Sequence, residues 1–125
     1  MLSGMRISVV EDEPLVAEHL ADVLTEAEGS VVGPFSTHAE ARQLVRNGTK
    51  VDVALLDINV GDGPATPLLE ALAGRGIPTL VYTGGELPAA VRKRHPDLTV
   101  LTKPVTSARL LSELRRASRT LVRTV

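Results

Sequence analysis

Polar groups that could handle phosphate or a metal ion follow four apolar runs of the sequence. Carboxylates come after the first and third runs, a hydroxyl after the fourth and an ammonium group after the fifth. In order they are Glu11-Asp12-Glu13, Asp57 with Asn59, Thr83 with Gly84 and Gly85, and Lys103 before Pro104. Two carboxylates about 4 Å apart at an effective dielectric of about 20 repel by about 4 kcal/mol. Mg²⁺ relieves such repulsion and bridges to phosphate, so these groups are the parts needed to form an aspartyl phosphate.

Each of these residues also has an ordinary structural explanation. Acidic residues after a strand are often helix N-caps, and we expect Glu13 to be one or to face solvent. A Lys-Pro pair after a strand is more often a turn than a site. Asp57 is harder to explain in this way, because burying a carboxylate at the end of an apolar strand is costly without a partner. The coincidence of four strand ends favours a functional site.

Five short apolar runs, with helix-like segments between them, must position these groups. The runs cover residues 7–10, 31–32, 51–56, 77–82 and 98–101. The third is nearly continuous, as in a strand that is covered on both faces. This alternation predicts an α/β domain with a parallel sheet and helices on both faces. Ligands of such sheets lie at the carboxyl ends of the strands, where the polar groups fall.

The helical segments carry apolar stripes and recognisable ends. The first predicted helix begins near Pro14 and ends at Gly29, and the second begins with a capping box of Thr37 and Glu40 and ends at Asn47-Gly48. The third spans residues 66–74, and the fourth spans about 87–94 with a late start at Pro88. The fifth carries an apolar stripe over residues 110–122.

Composition excludes several classes of protein. The chain has 125 residues, 43% hydrophobic and 23% charged, which is typical of one folded domain rather than of a disordered segment. It has no cysteine, which excludes disulfides and thiolate chemistry, and only 2% aromatic residues, which disfavours nucleic-acid stacking. No apolar run approaches the roughly 20 residues of a membrane span, and the start does not read as a signal peptide, so we expect a cytoplasmic protein.

Together the motifs resemble the receiver domain of the two-component response regulators. The resemblance covers residues 5–123 and is carried by Val10-Glu11-Asp12-Glu13-Pro14, Leu55-Leu56-Asp57-Ile58-Asn59, Gly61-Asp62-Gly63, Val81-Tyr82-Thr83-Gly84 and Leu101-Thr102-Lys103-Pro104. It implies a flavodoxin-like (βα)5 fold, doubly wound around a five-stranded parallel sheet in the order 2-1-3-4-5. It also implies one receiver domain over residues 1–125.

The resemblance assigns roles to the residues at the strand ends. Asp57 is expected to be the phosphoacceptor, which takes a phosphoryl group from a sensor histidine kinase or a histidine phosphotransfer protein and loses it by slow self-catalysed hydrolysis, without being an enzyme otherwise. Mg²⁺ is expected at Glu11, Asp12, Asp57 and the backbone carbonyl of Asn59, with Asp12 as a direct ligand and Glu11 acting through water. Thr83, the Gly84 amide and Lys103 are expected to hold the phosphoryl oxygens, with a cis Lys103–Pro104 peptide.

Three positions depart from the family pattern. Glu11 replaces the commoner aspartate, which keeps the charge on a longer arm. Gly61 stands where a proline is usual, and Val100 stands where the family has a switch tyrosine or phenylalanine. Residues 78–85 resemble stand-alone alphaproteobacterial receivers that lack this aromatic residue.

The output of such a receiver stays open at this point. From residue 88 onward the sequence has nine basic residues and two acidic ones. Such an excess is usual for a helix face in contact with solvent, but it also fits a surface on helix 4, strand 5 and helix 5 that binds a downstream protein partner or a second copy of the chain. A nucleic-acid partner is less favoured. The alternatives are a phosphate shuttle or sink for a kinase, and a fragment of a longer regulator with a DNA-binding or enzymatic effector. A phosphatase-like Mg²⁺ hydrolase is disfavoured because Asn59 replaces its acid/base aspartate. His19, His38 and His95 are interpreted as ordinary helix or loop residues, and Phe35 and Tyr82 as packing residues.

Overall fold

A computed structural model describes the backbone of residues 2–124 and the side chains of residues 2–117. Strands and helices alternate along the chain. The strands are β1 (Arg6–Val10), β2 (Ser30–Phe35), β3 (Val53–Asp57), β4 (Thr79–Thr83) and β5 (Thr99–Thr102). The helices are α1 (Pro14–Glu26), α2 (His38–Arg46), α3 (Thr66–Gly74), α4 (Ala89–Arg94) and α5 (Ser107–Thr124).

The five strands form one parallel sheet in the order β2-β1-β3-β4-β5, which confirms the predicted flavodoxin-like topology. Every residue of the central strand β3 is buried, as its continuous apolar sequence predicted. The sheet separates two apolar clusters, one with side chains of α2, α3 and α4 and the other with side chains of α1 and α5. Of the buried polar residues in the strands, Asp57 and Thr83 end β3 and β4, and Ser8 lies inside β1.

The strand register aligns the ends that carry the polar groups. Val10 pairs with Leu56, Asp57 pairs with Tyr82, and Thr83 pairs with Thr102. The residues that follow β1, β3, β4 and β5 therefore meet at one edge of the sheet, where ligands of this fold class bind.

The predicted end of α1 at Gly29 is wrong. The helix ends at Glu26, and Glu28, not Gly29, adopts the left-handed conformation, with φ of 69°. A Cβ atom on Gly29 would lie 2.9 Å from Ile7 Cδ1. Glycine is needed here because the chain passes close to the core side of β1, rather than because the helix stops.

Strand β2 is longer than the two residues predicted from the sequence. It continues through Pro34 to Phe35, and it lies at the edge of the sheet, where a residue without an N–H group is tolerated. The capping box at the start of α2 is confirmed in part, because the Thr37 hydroxyl accepts the Glu40 amide.

Candidate functional site

Three carboxylates converge at the carboxyl edge of the sheet. Glu11 and Asp12 follow β1 directly, and Asp57 is the last residue of β3. Each offers an oxygen within 4.8 Å of the others. Glu11 and Asp57 are buried, with 2% and 5% of their surface exposed, whereas Asp12 is exposed to solvent. The site is therefore acidic, with one side open to solvent.

Lys103 supplies the positive charge at this edge. Its Nζ lies 2.8 Å from Asp57 Oδ2 and 3.7 Å from Glu11 Oε1. Partial burial lowers the pKa of Lys103, but the hydrogen bond to Asp57 and the charges of Asp57 and Glu11 outweigh burial and raise it above its ordinary value. The ammonium is therefore charged in the physiological range. The Lys103–Pro104 peptide is cis.

The residues after β3 and β4 form a second layer of hydrogen bonds. The Asn59 amide N–H donates to Asp57 Oδ1 over 2.9 Å, and the Asn59 side-chain amide donates to Thr83 Oγ1 over 3.3 Å. The Gly85 N–H also donates to Thr83 Oγ1, over 3.2 Å. Thr83 is completely buried, while Asn59 and Gly84 are exposed. Of the predicted site residues, Glu11, Asp12, Asn59 and Lys103 thus lie around the Asp57 carboxylate, and Thr83 is linked to it through Asn59.

The donor set fits a hard divalent cation. Glu11, Asp12 and Asp57 offer oxygen ligands, and one lysine does not neutralise three carboxylates. The same three residues are the group that could hold a metal ion within the described part of the chain. Mg²⁺, which prefers oxygen ligands and retains waters, suits a site with an open side.

Two departures from the family pattern have structural consequences here. The Gly61 N–H donates to Asp12 Oδ2 over 3.2 Å, a bond that a proline could not make. Val100 pairs with Val81 in the sheet and is 38% exposed, so it offers a small apolar surface where an aromatic residue is expected.

Tyr82 takes part in the site, although the sequence suggested only a packing role. Its hydroxyl donates to Glu11 Oε1 over 2.7 Å, and Lys103 Nζ lies 4.9 Å from the centroid of its ring. Burial raises the pKa of Tyr82, and the hydrogen bond to Glu11 and the nearby carboxylates raise it further. The signal in the sequence was a single tyrosine in an aliphatic strand, because a buried tyrosine usually bonds its hydroxyl to a partner.

His38 is not the ordinary helix residue that the sequence suggested. It is 3% exposed, and its Nε2 lies 2.9 Å from the carbonyl oxygen of Asp57, which can only accept, so this nitrogen carries a proton. The other ring nitrogen, Nδ1, lies 3.5 Å from Asp62 Oδ1 without forming a hydrogen bond. His19 is exposed on α1, and His95 follows α4.

Asp62 caps the helix that carries His38. Its carboxylate accepts the N–H groups of His38 and Ala39, each over 3.1 Å. Burial raises the pKa of Asp62, but these two hydrogen bonds and the nearby His38 ring outweigh it and lower the pKa below its ordinary value. The loop after β3 is thereby tied to the start of α2.

Comparison with known proteins agrees with this architecture. The profile of the response regulator receiver domain matches residues 7–115. The positive alginate biosynthesis regulatory protein of Pseudomonas aeruginosa is 30% identical over 118 residues, which are 92% of this chain and 48% of that protein. The chain therefore spans about half the length of this curated relative.

Solved structures share the fold. A CheY-like receiver domain protein from Methanospirillum hungatei superposes with a TM-score of 0.87 over the whole of both chains at 22% identity. SdrG from Pseudomonas melonis, solved in its BeF3-activated conformation, is 39% identical with a TM-score of 0.74, covering 94% of this chain and 99% of that one.

Among the described residues, no helix is both long and apolar enough to cross a bilayer.

The family profile spans most of the chain, the sheet order is that of the CheY-like structures, and acidic residues and a lysine meet at the carboxyl edge of the sheet. This chain belongs to the response regulator receiver domain family of two-component signalling systems.

Proposed function

We propose that this receiver accepts a phosphoryl group on Asp57 in a Mg²⁺-dependent reaction. The observation that carries the proposal is the surroundings of one buried carboxylate: Lys103 holds one oxygen at 2.8 Å, the Asn59 amide holds the other at 2.9 Å, and two further carboxylates lie within 4.8 Å. The BeF3-activated conformation of SdrG, a 39% identical protein, supports the same chemistry here.

The donor is a phosphohistidine on a sensor histidine kinase or a histidine phosphotransfer protein. One oxygen of Asp57 forms the new O–P bond while the P–N bond breaks, and the departing imidazole nitrogen keeps the electron pair and is protonated. The Lys103 ammonium exchanges its ion pair with the carboxylate for one with a phosphoryl oxygen. The Thr83 hydroxyl and the Gly84 amide donate hydrogen bonds to the other phosphoryl oxygens.

Glu11, Asp12, Asp57 and the backbone carbonyl of Asn59 are the groups that would hold Mg²⁺. When bound, the cation supplies positive charge next to the phosphoryl oxygens and offsets the repulsion among the carboxylates. Hydrolysis then cleaves the O–P bond with water and returns Asp57 and inorganic phosphate. We expect this step to be slow, because Asn59, two residues after Asp57, has no proton to exchange.

An aryl phosphate distinguishes a receiver from a hydrolase on the same sheet. We expect incubation with an aryl phosphate and Mg²⁺ to release no more phenol than the protein present can account for, while phosphoramidate yields one phosphoryl group per chain. Repeated turnover of the aryl phosphate that is lost in Asp57→Asn would identify a phosphatase-like enzyme instead.

The output surface that we propose is the basic face of α4, β5 and α5. Among described side chains, α4 and α5 carry Arg92, Lys93, Arg94, Arg109, Arg115 and Arg116, while Arg119 and Arg123 lie outside the described side chains. We propose that the phosphorylated protein, a single receiver domain of the cytoplasm, binds a downstream protein or a second copy through this face. Sedimentation of the protein with BeF3 and Mg²⁺ tests the second-copy arm, because only a homodimer doubles the mass.

Two alternative outputs have support. The small side chain of Val100 favours a phosphate shuttle or sink, in which transfer matters more than a change of shape. The curated relative is about twice as long as this chain, which favours a receiver segment of a longer regulator with a DNA-binding or enzymatic effector.

A further inference from the structure

Tyr82 lies on β4 and contacts the acidic site across the neighbouring strand β3. It pairs with Asp57 across β3 and β4, and Glu11 follows Val10, which pairs with Leu56 across β1 and β3. Tyr82, Asp57 and Glu11 thus form one row on three adjacent strands. Since neighbouring strands are about 4.8 Å apart, the Tyr82–Glu11 hydrogen bond crosses two strand spacings, which takes two long side chains.

Glu11 is held through both of its oxygens. Oε1 accepts the Tyr82 hydroxyl over 2.7 Å, and Oε2 accepts the Glu13 N–H over 3.1 Å. Glu11 and Tyr82 are both buried, so water does not compete for their bond. An aspartate at position 11 is one methylene shorter, and the phenol would then have only the Val10 carbonyl oxygen, 3.5 Å away.

We propose that Tyr82 is a positioning residue for the cation site: its hydroxyl fixes the Glu11 carboxylate, and the two residues act as one unit in divalent cation binding. This inference rests on the proposed function, since it concerns the same cation. Carboxylates in metal sites depend on such hydrogen-bonding partners, whose loss typically lowers metal affinity by about 10–100-fold. The long arm of Glu11 and the aromatic residue at position 82 thereby explain one another.

Calorimetric titration with Mg²⁺ alone tests the proposal on the whole chain. We expect Tyr82→Phe, which removes only the hydroxyl, to weaken Mg²⁺ binding by about tenfold or more. Thr79→Val is the matched control, because it removes a hydroxyl that donates to the Ile77 carbonyl at the other end of the same strand. We expect its Mg²⁺ affinity to equal that of the wild type.

A double-mutant cycle separates positioning from packing. Glu11→Asp alone is expected to weaken Mg²⁺ binding, and adding Tyr82→Phe to it is expected to change the affinity little, because the hydroxyl then has no carboxylate to hold. A role of Tyr82 in packing alone would produce the same loss in both backgrounds, and that result would overturn the proposal.

The chain contains one tyrosine and no tryptophan, so its near-ultraviolet spectrum and fluorescence come mainly from Tyr82. We expect Glu11→Asp to shift the metal-free tyrosine spectrum toward that of a phenol without a carboxylate partner, and an unchanged spectrum would contradict the hydrogen bond. If Tyr82→Phe binds Mg²⁺ as tightly as the wild type, the positioning role is wrong while the receiver function stands. If the wild type itself binds no Mg²⁺, both fail.

Discussion

Asp57 is surrounded by charges that do not cancel. Glu11 and Asp12 share its sign, and Lys103 opposes all three. Like charges that are held together by the fold store repulsion, and a bound cation or a protonated carboxylate relieves it. The chemistry of the site and its cost to stability therefore have the same origin.

Substituting Asp57 by asparagine should leave the metal-free protein at least as stable as the wild type. The change removes one of three like charges, and Lys103 keeps Glu11 Oε1 as a partner at 3.7 Å. Thermal unfolding in a chelating buffer measures this, with Asp97→Asn, an exposed aspartate near the end of α4, as the control. A clearly lower melting temperature for Asp57→Asn would contradict the repulsion that we infer.

Tyr82 should make the protein less stable at alkaline pH. Burial, the hydrogen bond to Glu11 and the surrounding carboxylates raise its pKa in the folded state above the ordinary value of 10.0. Its contribution to stability is therefore fully present below about pH 10 and is lost as the pH rises through the folded value. The raised pKa of Lys103 also makes stability fall at alkaline pH. Because wild type and Tyr82→Phe both contain Lys103, its effect is present in both proteins.

The difference between wild type and Tyr82→Phe isolates this contribution. We expect urea unfolding to show that the wild type loses more stability than Tyr82→Phe between about pH 9 and about pH 11. Equal losses in the two proteins would mean that the folded state does not favour the neutral phenol.

At the scale of elements, the start of α2 is joined to the end of β3. His38 donates to the Asp57 carbonyl, and Asp62 in the next loop accepts two N–H groups of α2. These hydrogen bonds hold the backbone of the proposed phosphoacceptor in place. It joins residues that are 19 and 24 positions apart in the sequence.

His38→Ala should destabilise the fold by about 1–3 kcal/mol, because it leaves the buried Asp57 carbonyl without its donor. His19→Ala, on the exposed face of α1, is the matched control and should have little effect. Urea unfolding measures both free energies of unfolding. Similar values for the two variants would show that the His38 hydrogen bond contributes nothing net.

Asp62 should make stability fall at acid pH. Burial alone would raise its pKa, but the His38 and Ala39 amides lower it below the ordinary value of 3.8 in the folded state. The cap therefore contributes fully above about pH 4 and is lost as the pH falls through the folded value. We expect Asp62→Asn to be less stable than the wild type at neutral pH, with the gap narrowing in acid. A gap that does not change with pH would contradict the role of the charge.

The elements were largely predictable, because apolar periodicity and turn residues are local. The third strand was evident from its continuous apolar run, and residues 66–74 were predicted as the helix that the structure shows. The end of α1 was missed because Gly29 is required by its distance to Ile7 in β1, a contact between elements that local patterns do not report.

The convergence of the strand-end residues was also predictable from local patterns. Asp57, Thr83 and Lys103 stand at the ends of apolar runs, and a parallel sheet brings such ends together. Tyr82 and His38 were missed because their roles depend on which side chain reaches across the sheet or the loop. Neither the Tyr82–Glu11 pair, 71 positions apart, nor the buried position of His38 follows from spacing along the chain.

At the scale of the whole molecule, the acidic site and the basic residues of α4 and α5 lie on different elements. Acidic groups cluster at the carboxyl edge of the sheet, while basic side chains lie on α4 and α5, and Lys103 follows β5, which lies between these two helices in the sequence. A phosphoryl group on Asp57 would attract the Lys103 ammonium, and Lys103 directly follows β5, a strand of the proposed basic face. The fold thus offers a short physical connection from the site to the proposed output surface.

Intact-mass spectrometry after incubation with acetyl phosphate tests the central claim most directly. It compares the wild type, Asp57→Asn, and Asp52→Asn, a carboxylate just before the opposite end of β3, each with Mg²⁺ and with a chelator. We predict the mass of one added phosphoryl group on the wild type and Asp52→Asn only when Mg²⁺ is present, and none on Asp57→Asn. An adduct that persists in Asp57→Asn, or no adduct on the wild type under any condition, would contradict the assignment of Asp57 as the phosphoacceptor.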